Sequence, residues 1–393
     1  MSQGELMSSS ATRRSFLTAG LAVPAAGLAT RTPGLAPAAS SPALQSVTSQ
    51  YRTLGRTGLK VSPVGFGCML TSDPSVIERA VEAGINYFDT ARGYQGGNNE
   101  RMVGAALKSR RKQVHISTKT HSSSKQAALA ELETSLRELG TDYVDIWCLH
   151  GIRNPEELND EALEALQSAK QQGKTRFVGL STHSNQAAVI EAAIKTGKID
   201  AVIVAYNFTM FKTLEPALEA ANKAGVGVIA MKTMAGGFRK ARPGTELHAK
   251  LSRQGALLAA LKWVLRNPNV HTTVPSMTDM DQLEENLKAM TEPFSEADQR
   301  ILAEHFRYIG PLYCRGCTRC LEQCPKGLPI PDILRCLMYA EGYGQFALGR
   351  EQFLSLPAPA STVRCQDCIS CPVRCPNGVR VTERLMRAQE LFA

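Results

Sequence analysis

Two runs of cysteine carry the most specific chemistry in this 393-residue chain. Cys314, Cys317, Cys320 and Cys324, the last followed by Pro325, are matched in spacing by Cys365, Cys368, Cys371 and Cys375, the last followed by Pro376. Each run reads C-x2-C-x2-C-x3-C-P, a spacing with which thiolates hold 4Fe–4S clusters. Three thiolates this close along the chain can curl around one face of a cubane. The fourth, turned away at its proline, ligates the other cluster where two are present. The pattern predicts Cys314, Cys317, Cys320 and Cys375 on one cluster, and Cys365, Cys368, Cys371 and Cys324 on the other. Zinc fits less well, because a four-thiolate site wants two C-x2-C pairs rather than a triplet and an outlier. A disulfide framework fits least, since crowded triplets suit a metal better than bridges. Cys68, Cys148 and Cys336 lie in apolar runs and read as small buried hydrophobes.

The elements that position the rest of the chemistry alternate. Apolar, largely β-branched runs at 64–69, 85–90, 114–119, 143–149, 176–181, 201–206, 226–231 and 271–276 have the continuous hydrophobicity of strands buried on both faces. Amphipathic helical patterns lie between them. From Ser122 to Gly140, Leu129, Leu132, Leu136 and Leu139 share a face, with serine at the start and glycine at the stop. Gly84, Gly173, Gly197 and Gly225 likewise follow helical runs and precede strands. Eight strand–helix units predict a (β/α)8 TIM barrel over 51–305, followed by a small, mainly helical iron–sulfur domain over 306–393. A doubly wound sheet is the alternative, but GFGCML at 65–70 lacks the third glycine of a dinucleotide fingerprint.

A barrel of this kind places its chemistry at the C-terminal ends of its strands. Asp89, Tyr94, Lys119 and His150 all fall there, at the ends of the second, third and fourth strands or in the loop that follows. Taken singly, an aspartate caps, a tyrosine packs and a histidine satisfies hydrogen bonds. Together on adjacent strands they form a candidate acid–base set.

The segments FDTARGY (88–94), STKT (117–120), DYVDIWCLH (142–150), FVGLSTH (177–183) and LEEN (283–286) resemble the aldo/keto reductases. The tail looks like the ferredoxin-type extension of one branch of that family. The resemblance implies reduction of a small-molecule carbonyl, or oxidation of the alcohol, by hydride exchange with NAD(P)(H). It implies Tyr94 as general acid, made more acidic by Lys119, with Asp89 positioning the lysine and His150 orienting the substrate oxygen. The corresponding cofactor positions are Ser181, Met231, Ser276, Gln282, Glu285 and Asn286. Several depart from the family pattern: Thr182 replaces an asparagine, Ile203 a glutamine, Met231 a stacking tyrosine, Ser276-Met277 a Lys-Ser pair, and Gln282 an arginine that grips the 2′-phosphate. The choice between NAD and NADP stays open. An electron-transfer or metabolite-binding role on a barrel scaffold is the alternative function.

The N-terminal SATRRSFL (10–17) resembles a twin-arginine export signal, with small residues at Ala36, Ala38 and Ala39 for cleavage. The apolar stretch after it is short and holds Pro24, so no stable membrane span is expected. Residues 1–39 are read as signal and 40–50 as linker. Passage through the twin-arginine (Tat) export machinery would deliver a folded, iron-loaded protein to the periplasm or beyond. A redox partner protein is expected if the clusters pass electrons. The formal charge of +9 is scattered among acids without a basic aromatic stripe, which argues against nucleic acid. The segment 331–356, with Leu, Met, Tyr and Phe at helical spacing, is read as packing for the cluster domain; a substrate lid is the sharper alternative.

Overall fold

The computed structural model describes residues 51–122, 124–238 and 255–393; the expected export signal and linker lie outside the described residues. Eight parallel strands follow one another around a nearly closed sheet: β1 (Phe66–Gly67), β2 (Tyr87–Asp89), β3 (His115–Thr120), β4 (Val144–Leu149), β5 (Thr175–Thr182), β6 (Ala201–Ala205), β7 (Gly227–Met231) and β8 (Thr272–Thr273). The seam between β8 and β1 is closed by parallel bridges Val64↔Thr273 and Gly67↔Ser276. The amide of Gly65 donates to the Thr273 carbonyl at 2.8 Å. A barrel of eight parallel strands is the architecture expected from the alternation.

Alternation along the strands divides two apolar layers. Tyr87, Ile146, Cys148, Ile203 and Ile229 fill the barrel interior. Their neighbours Phe88, Trp147, Val202, Val204, Val228 and Ala230 pack outward on the helices. Both faces are buried, so the strands read as unbroken apolar runs. A short antiparallel hairpin, Arg52–Thr53 against Lys60–Val61, brings Leu54, Leu59 and Val61 into the interior layer.

Helices α1 (Pro74–Glu82), α2 (Asn98–Leu107), α3 (Lys125–Leu139), α4 (Asp160–Gln171), α5 (Gln186–Thr196), α6 (Phe211–Lys223), α7 (Ala256–Leu265), α8 (Met280–Lys288) and α9 (Glu296–Ile309) accompany the barrel. The Ser124 side chain accepts from the Ala127 amide to start α3, and Gly140 ends it at φ +64°. Gly84, Gly173, Gly197 and Gly225 all have positive φ, which explains why glycine stands at each of these stops.

Beyond α9 the tail forms α10 (Ile330–Glu341), α11 (Phe346–Leu354), α12 (Pro359–Thr362) and α13 (Val381–Phe392). It has its own small core, in which Ile330, Ile333, Leu334 and Leu337 of α10 meet Phe353, Leu385 and Phe392. Met338 and Tyr339 of the same helix belong instead to the barrel's outer layer. The tail is tied down by polar contacts as well. Asn207 donates to the Tyr313 hydroxyl at 3.1 Å, and the Asn185 amide donates to the Gly316 carbonyl at 2.8 Å. Gly316 (φ +70°) approaches so closely that a Cβ there would lie 2.3 Å from the His183 carbonyl oxygen.

Candidate active site

Strand parity determines where the polar set points. Asp89 lies two residues beyond interior-facing Tyr87, and Lys119 pairs in register with interior-facing Cys148. His150 lies two residues beyond Cys148. All three thus continue the inward row at the C-terminal mouth of the barrel. There the Lys119 ammonium donates to Asp89 Oδ2 and to the Thr90 carbonyl, each at 2.7 Å. Ser117, opposite Asp89 in the ladder, donates to Asp89 Oδ1 at 2.6 Å. The side chains of Lys119 and Asp89 are 2% and 7% exposed, so this is a buried ion pair with its remaining valences filled.

Tyr94 reaches the same point from the loop after β2. Gln95, Gly96 and Gly97 have positive φ in the turn that follows it. The Gln95 amide donates to the carbonyls of Met69 and Thr71 at 3.1 and 2.8 Å, pinning the loop to the neighbouring one. The Tyr94 hydroxyl accepts from Lys119 Nζ at 3.4 Å, and its ring meets that of His150 edge-on at 5.7 Å. His121 stacks on His150 at 4.0 Å. Nδ1 of His150 is buried without a protein hydrogen-bond partner.

Burial pushes the Tyr94 phenol up to about 12, although Lys119 pulls it down. This reverses the net effect expected from the lysine alone: the phenol keeps its proton. Burial would discharge Lys119, but Asp89, together with Tyr94 and Cys148, outweighs it and the net direction is upward. Burial, then the charges of Lys119, His121, Arg335 and Lys232, depress His150 well below the ordinary histidine value. The arrangement holds a neutral phenol, a permanent cation and a neutral imidazole around one point.

These groups open on a cleft of about 630 Å³. Met231, Ser276, Gln282, Glu285 and Asn286 line it together with Asp89, Tyr94 and His150. Ser181 does not line it: its hydroxyl oxygen accepts from the Gly151 amide at 2.9 Å and braces the loop after β4. Ile203 belongs to the barrel interior. Gln282 donates to the Thr278 hydroxyl at 2.8 Å and to the Asp279 carboxylate.

Residues 72–307 match the Aldo/keto reductase family. The chain belongs to that family. It is accordingly an oxidoreductase of the aldo/keto reductase type. L-galactose dehydrogenase of Arabidopsis thaliana is 30% identical over 67% of this chain and 95% of its own length. The uncharacterized oxidoreductase YqkF of Bacillus subtilis is 28% identical over 65% of this chain and 95% of its own. Among solved structures, the aldo-keto reductase AKR11C1 of Bacillus halodurans in its holo form superposes with a TM-score of 0.57 at 29% identity, covering 65% of this chain and 96% of that one.

The match stops at Arg307, and this aldo/keto reductase then adds a tail that helps build its cleft. Arg335 and Tyr339 on α10, and Tyr343 just past it, are lining residues. So are His121, His183 and Lys232. None of these was singled out from sequence. The i, i+4 spacing of Arg335 and Tyr339 was the available signal, but it points at the cleft only once α10 is docked.

The tail cysteines lie near one another, and Cys320 has Cys317, Cys375 and Cys324 as charged neighbours. After burial, the neighbours that push Cys314 up to about 12 are Cys320, Cys317 and Cys375. Those that push Cys365 up to about 11 are Cys324, Cys368 and Cys371. All eleven cysteines are free thiols, so the disulfide alternative finds no bond here. Among the described residues no group of three or more His, Cys, Asp or Glu side chains is placed to hold a metal ion.

The ion pair yields a test. Lys119→Met leaves the Asp89 carboxylate buried without its cation and is expected to cost about 3–5 kcal/mol in urea unfolding. Asp89→Asn should cost less than the lysine substitution. The double variant should be more stable than the sum of the two losses predicts; strict additivity would mean that the two groups are not energetically coupled.

Proposed function

We propose that this protein is an exported aldo/keto reductase that interconverts a small carbonyl compound and its alcohol with a nicotinamide dinucleotide, and that its tail carries two 4Fe–4S clusters. The observation that carries the catalytic part is the Tyr94 hydroxyl, protonated and 3.4 Å from the Lys119 ammonium beside His150 in one cleft. A nicotinamide dinucleotide held in that cleft would supply the hydride. Tyr94 gives its proton to the oxygen as negative charge develops there. Lys119, held cationic by Asp89, stabilises the phenolate left behind, and neutral His150 offers a hydrogen bond to the same oxygen. In the other direction the same groups take the proton back.

Met231, Ser276, Gln282, Glu285 and Asn286 fit a dinucleotide in lining a single cleft with the acid–base set. The start of α8 offers no cation for a 2′-phosphate. Gln282 is engaged with Asp279, and Asp281 is the acidic residue of the first turn. NAD(H) and NADP(H) are therefore expected to bind with similar affinity, in contrast to a site with an arginine at 282.

Tyr94→Phe should lower kcat/KM for aldehyde reduction by about 10²–10⁴ while cofactor binding, read by fluorescence titration with NADH and NADPH, persists. In the native protein Tyr94 is active while protonated and loses activity only as pH rises through its high pKa, and His150 is already neutral. Reductive kcat/KM for a neutral aldehyde should then be flat between about pH 6 and 9. Full activity in the phenylalanine variant would remove Tyr94 from the reaction.

The iron–sulfur reading is supported by the motif, and the crossing by Cys375 beside Cys314 and Cys324 beside Cys365. The sulfurs also accept N–H···S bonds: the Asn377 side chain donates to Cys317 Sγ and the Gly316 backbone amide to Cys314 Sγ, each at 3.4 Å. A cubane binds its thiolates at separate corners, so its ligands stand wider than those of a single ion. Anaerobically purified protein should hold about eight iron atoms per chain, and Cys375→Ser should leave about four, with the cluster of the first run lost. Retention of all the iron, or loss of the cluster of the second run alone, would refute the crossed assignment.

Export rests on Arg13 and Arg14 in the N-terminal motif. Arg13→Lys with Arg14→Lys should move the protein from the periplasmic to the cytoplasmic fraction of producing cells. An unchanged distribution would argue against the twin-arginine route.

A further inference from the structure

The tail brings one cation to the cleft and the barrel brings a second, and neither has a carboxylate to itself. Lys232 follows β7 directly and adopts φ +54°, an uncommon backbone for a lysine. Asn207 donates to its carbonyl at 3.0 Å and holds the strained residue in place. Its ammonium lies 4.9 Å from the centre of the Tyr339 ring and 3.5 Å from the Tyr339 hydroxyl. Among the described residues, no ion pair joins it to a carboxylate. Burial, and then the charge of Arg335, push it down to about 7.

Arg335 has Asp332 at 2.7 Å. That carboxylate also serves Arg153 at 3.5 Å, so one negative charge is shared between two guanidiniums. The carboxylates that line the cleft do not redress the balance. Glu157 accepts from the backbone amides of Arg153 and Asn154. Glu285 stands on α8 with the candidate dinucleotide residues, and Glu351 is exposed. Both Lys232 and Arg335 act on His150, so they lie close to the reacting end of the cleft.

We propose that the substrate of this site is a carbonyl compound bearing an anionic group, a carboxylate or a phosphate, which Arg335 and Lys232 hold beside Tyr339. The inference rests on the carbonyl-reductase reading above and extends it to a substrate class. A guanidinium can bind either anion through two parallel hydrogen bonds, and it orients the ligand as well as attracting it. The bound anion would also relieve the mutual repulsion of two cations in a partly buried wall. The tail thereby supplies specificity to a barrel that already holds the acid–base set.

The cluster-loaded full-length protein can be assayed with 4-carboxybenzaldehyde against its methyl ester, and with 4-formylphenyl phosphate against benzaldehyde. The charged member of at least one pair should have the higher kcat/KM, and the pair that shows it separates carboxylate from phosphate recognition. In Arg335→Met and in Lys232→Met the charged-to-neutral ratio should fall by about ten- to a hundredfold, mainly through KM. Arg335→Lys should recover part of it, which separates lost charge from lost folding. A wild-type preference for the neutral aldehydes would overturn the proposal. So would variants that keep the ratio and weaken NADPH binding instead, since the cations would then serve the cofactor's pyrophosphate. If no aldehyde is turned over, it is the reductase reading that fails. Calorimetric titration with terephthalate then decides the anion site: binding lost in Arg335→Met sustains it, and no binding to the native protein overturns it.

Discussion

An ammonium at the mouth of a closed barrel is tolerated only if an opposite charge is built into the same layer. Lys119 and Asp89 meet this condition through strand register. Ser117 stands opposite Asp89 in the β2–β3 ladder, and Lys119 lies one full pleat beyond, on the same inward row. The ammonium reaches back to the carboxylate while Ser117 fills the other oxygen. The positive charge in the site is thus a property of the fold and does not depend on solvent. A cation that cannot be discharged can sit beside a phenol whose burial keeps it protonated. The two opposing pulls on Tyr94 leave the proton in place at rest and favour its departure once charge appears nearby.

The same economy of position governs α10. One side of this helix, with Ile330, Ile333, Leu334 and Leu337, closes the tail's own core. Met338 and Tyr339 seat it on the barrel, while Arg335 and Tyr339 face the cleft. A helix so divided cannot rotate to improve one contact without giving up another. Its polar side chains are therefore presented to the barrel mouth by apolar packing on two other sides. Packing of the tail's own core and a wall over the active face are two faces of one helix.

What sequence could reveal follows the range of the forces involved. The eight strands were legible because burial on both faces writes β-branched residues continuously along them. Four of the helix stops were legible because only glycine adopts their backbone cheaply. The seam was less so: 64–69 and 271–276 read as full strands, yet Pro63 and Pro275 interrupt donors there, and the ladder shortens to Phe66–Gly67 and Thr272–Thr273 with isolated bridges beside it. Asp89, Lys119 and His150 shared an inward row that period-two counting exposes. Ser181 also falls on a strand end, and its hydroxyl oxygen accepts from the Gly151 amide, a contact invisible along the chain. Lys232, Arg335 and Tyr339 were silent because their meeting depends on how the tail docks. The upward shift of Tyr94 was missed for a related reason: a neighbouring charge can be named from residue types, whereas desolvation depends on the surroundings.

The tail's cysteines bear on the same wall. A hydride carries two electrons together, whereas an iron–sulfur centre of this class passes them singly, so a direct exchange between nicotinamide and cluster is chemically awkward. If the proposed clusters are present, topology would offer them a different task. Under the crossed ligation, Cys324 joins the second run and Cys375 the first, so each cluster spans both ends of the segment that carries α10 and α11. That segment becomes a closed loop pinned at both ends, and pinning a loop removes entropy chiefly from its undocked states. Cys314 itself borders a small cavity shared with His183, Lys232 and Arg335. Iron bound by the first run would therefore stand directly behind the cations of the cleft, and its loss would loosen the wall that holds Arg335. On the proposed crossed ligation, bracing that wall would follow from the connectivity and would require no electron to leave the active site.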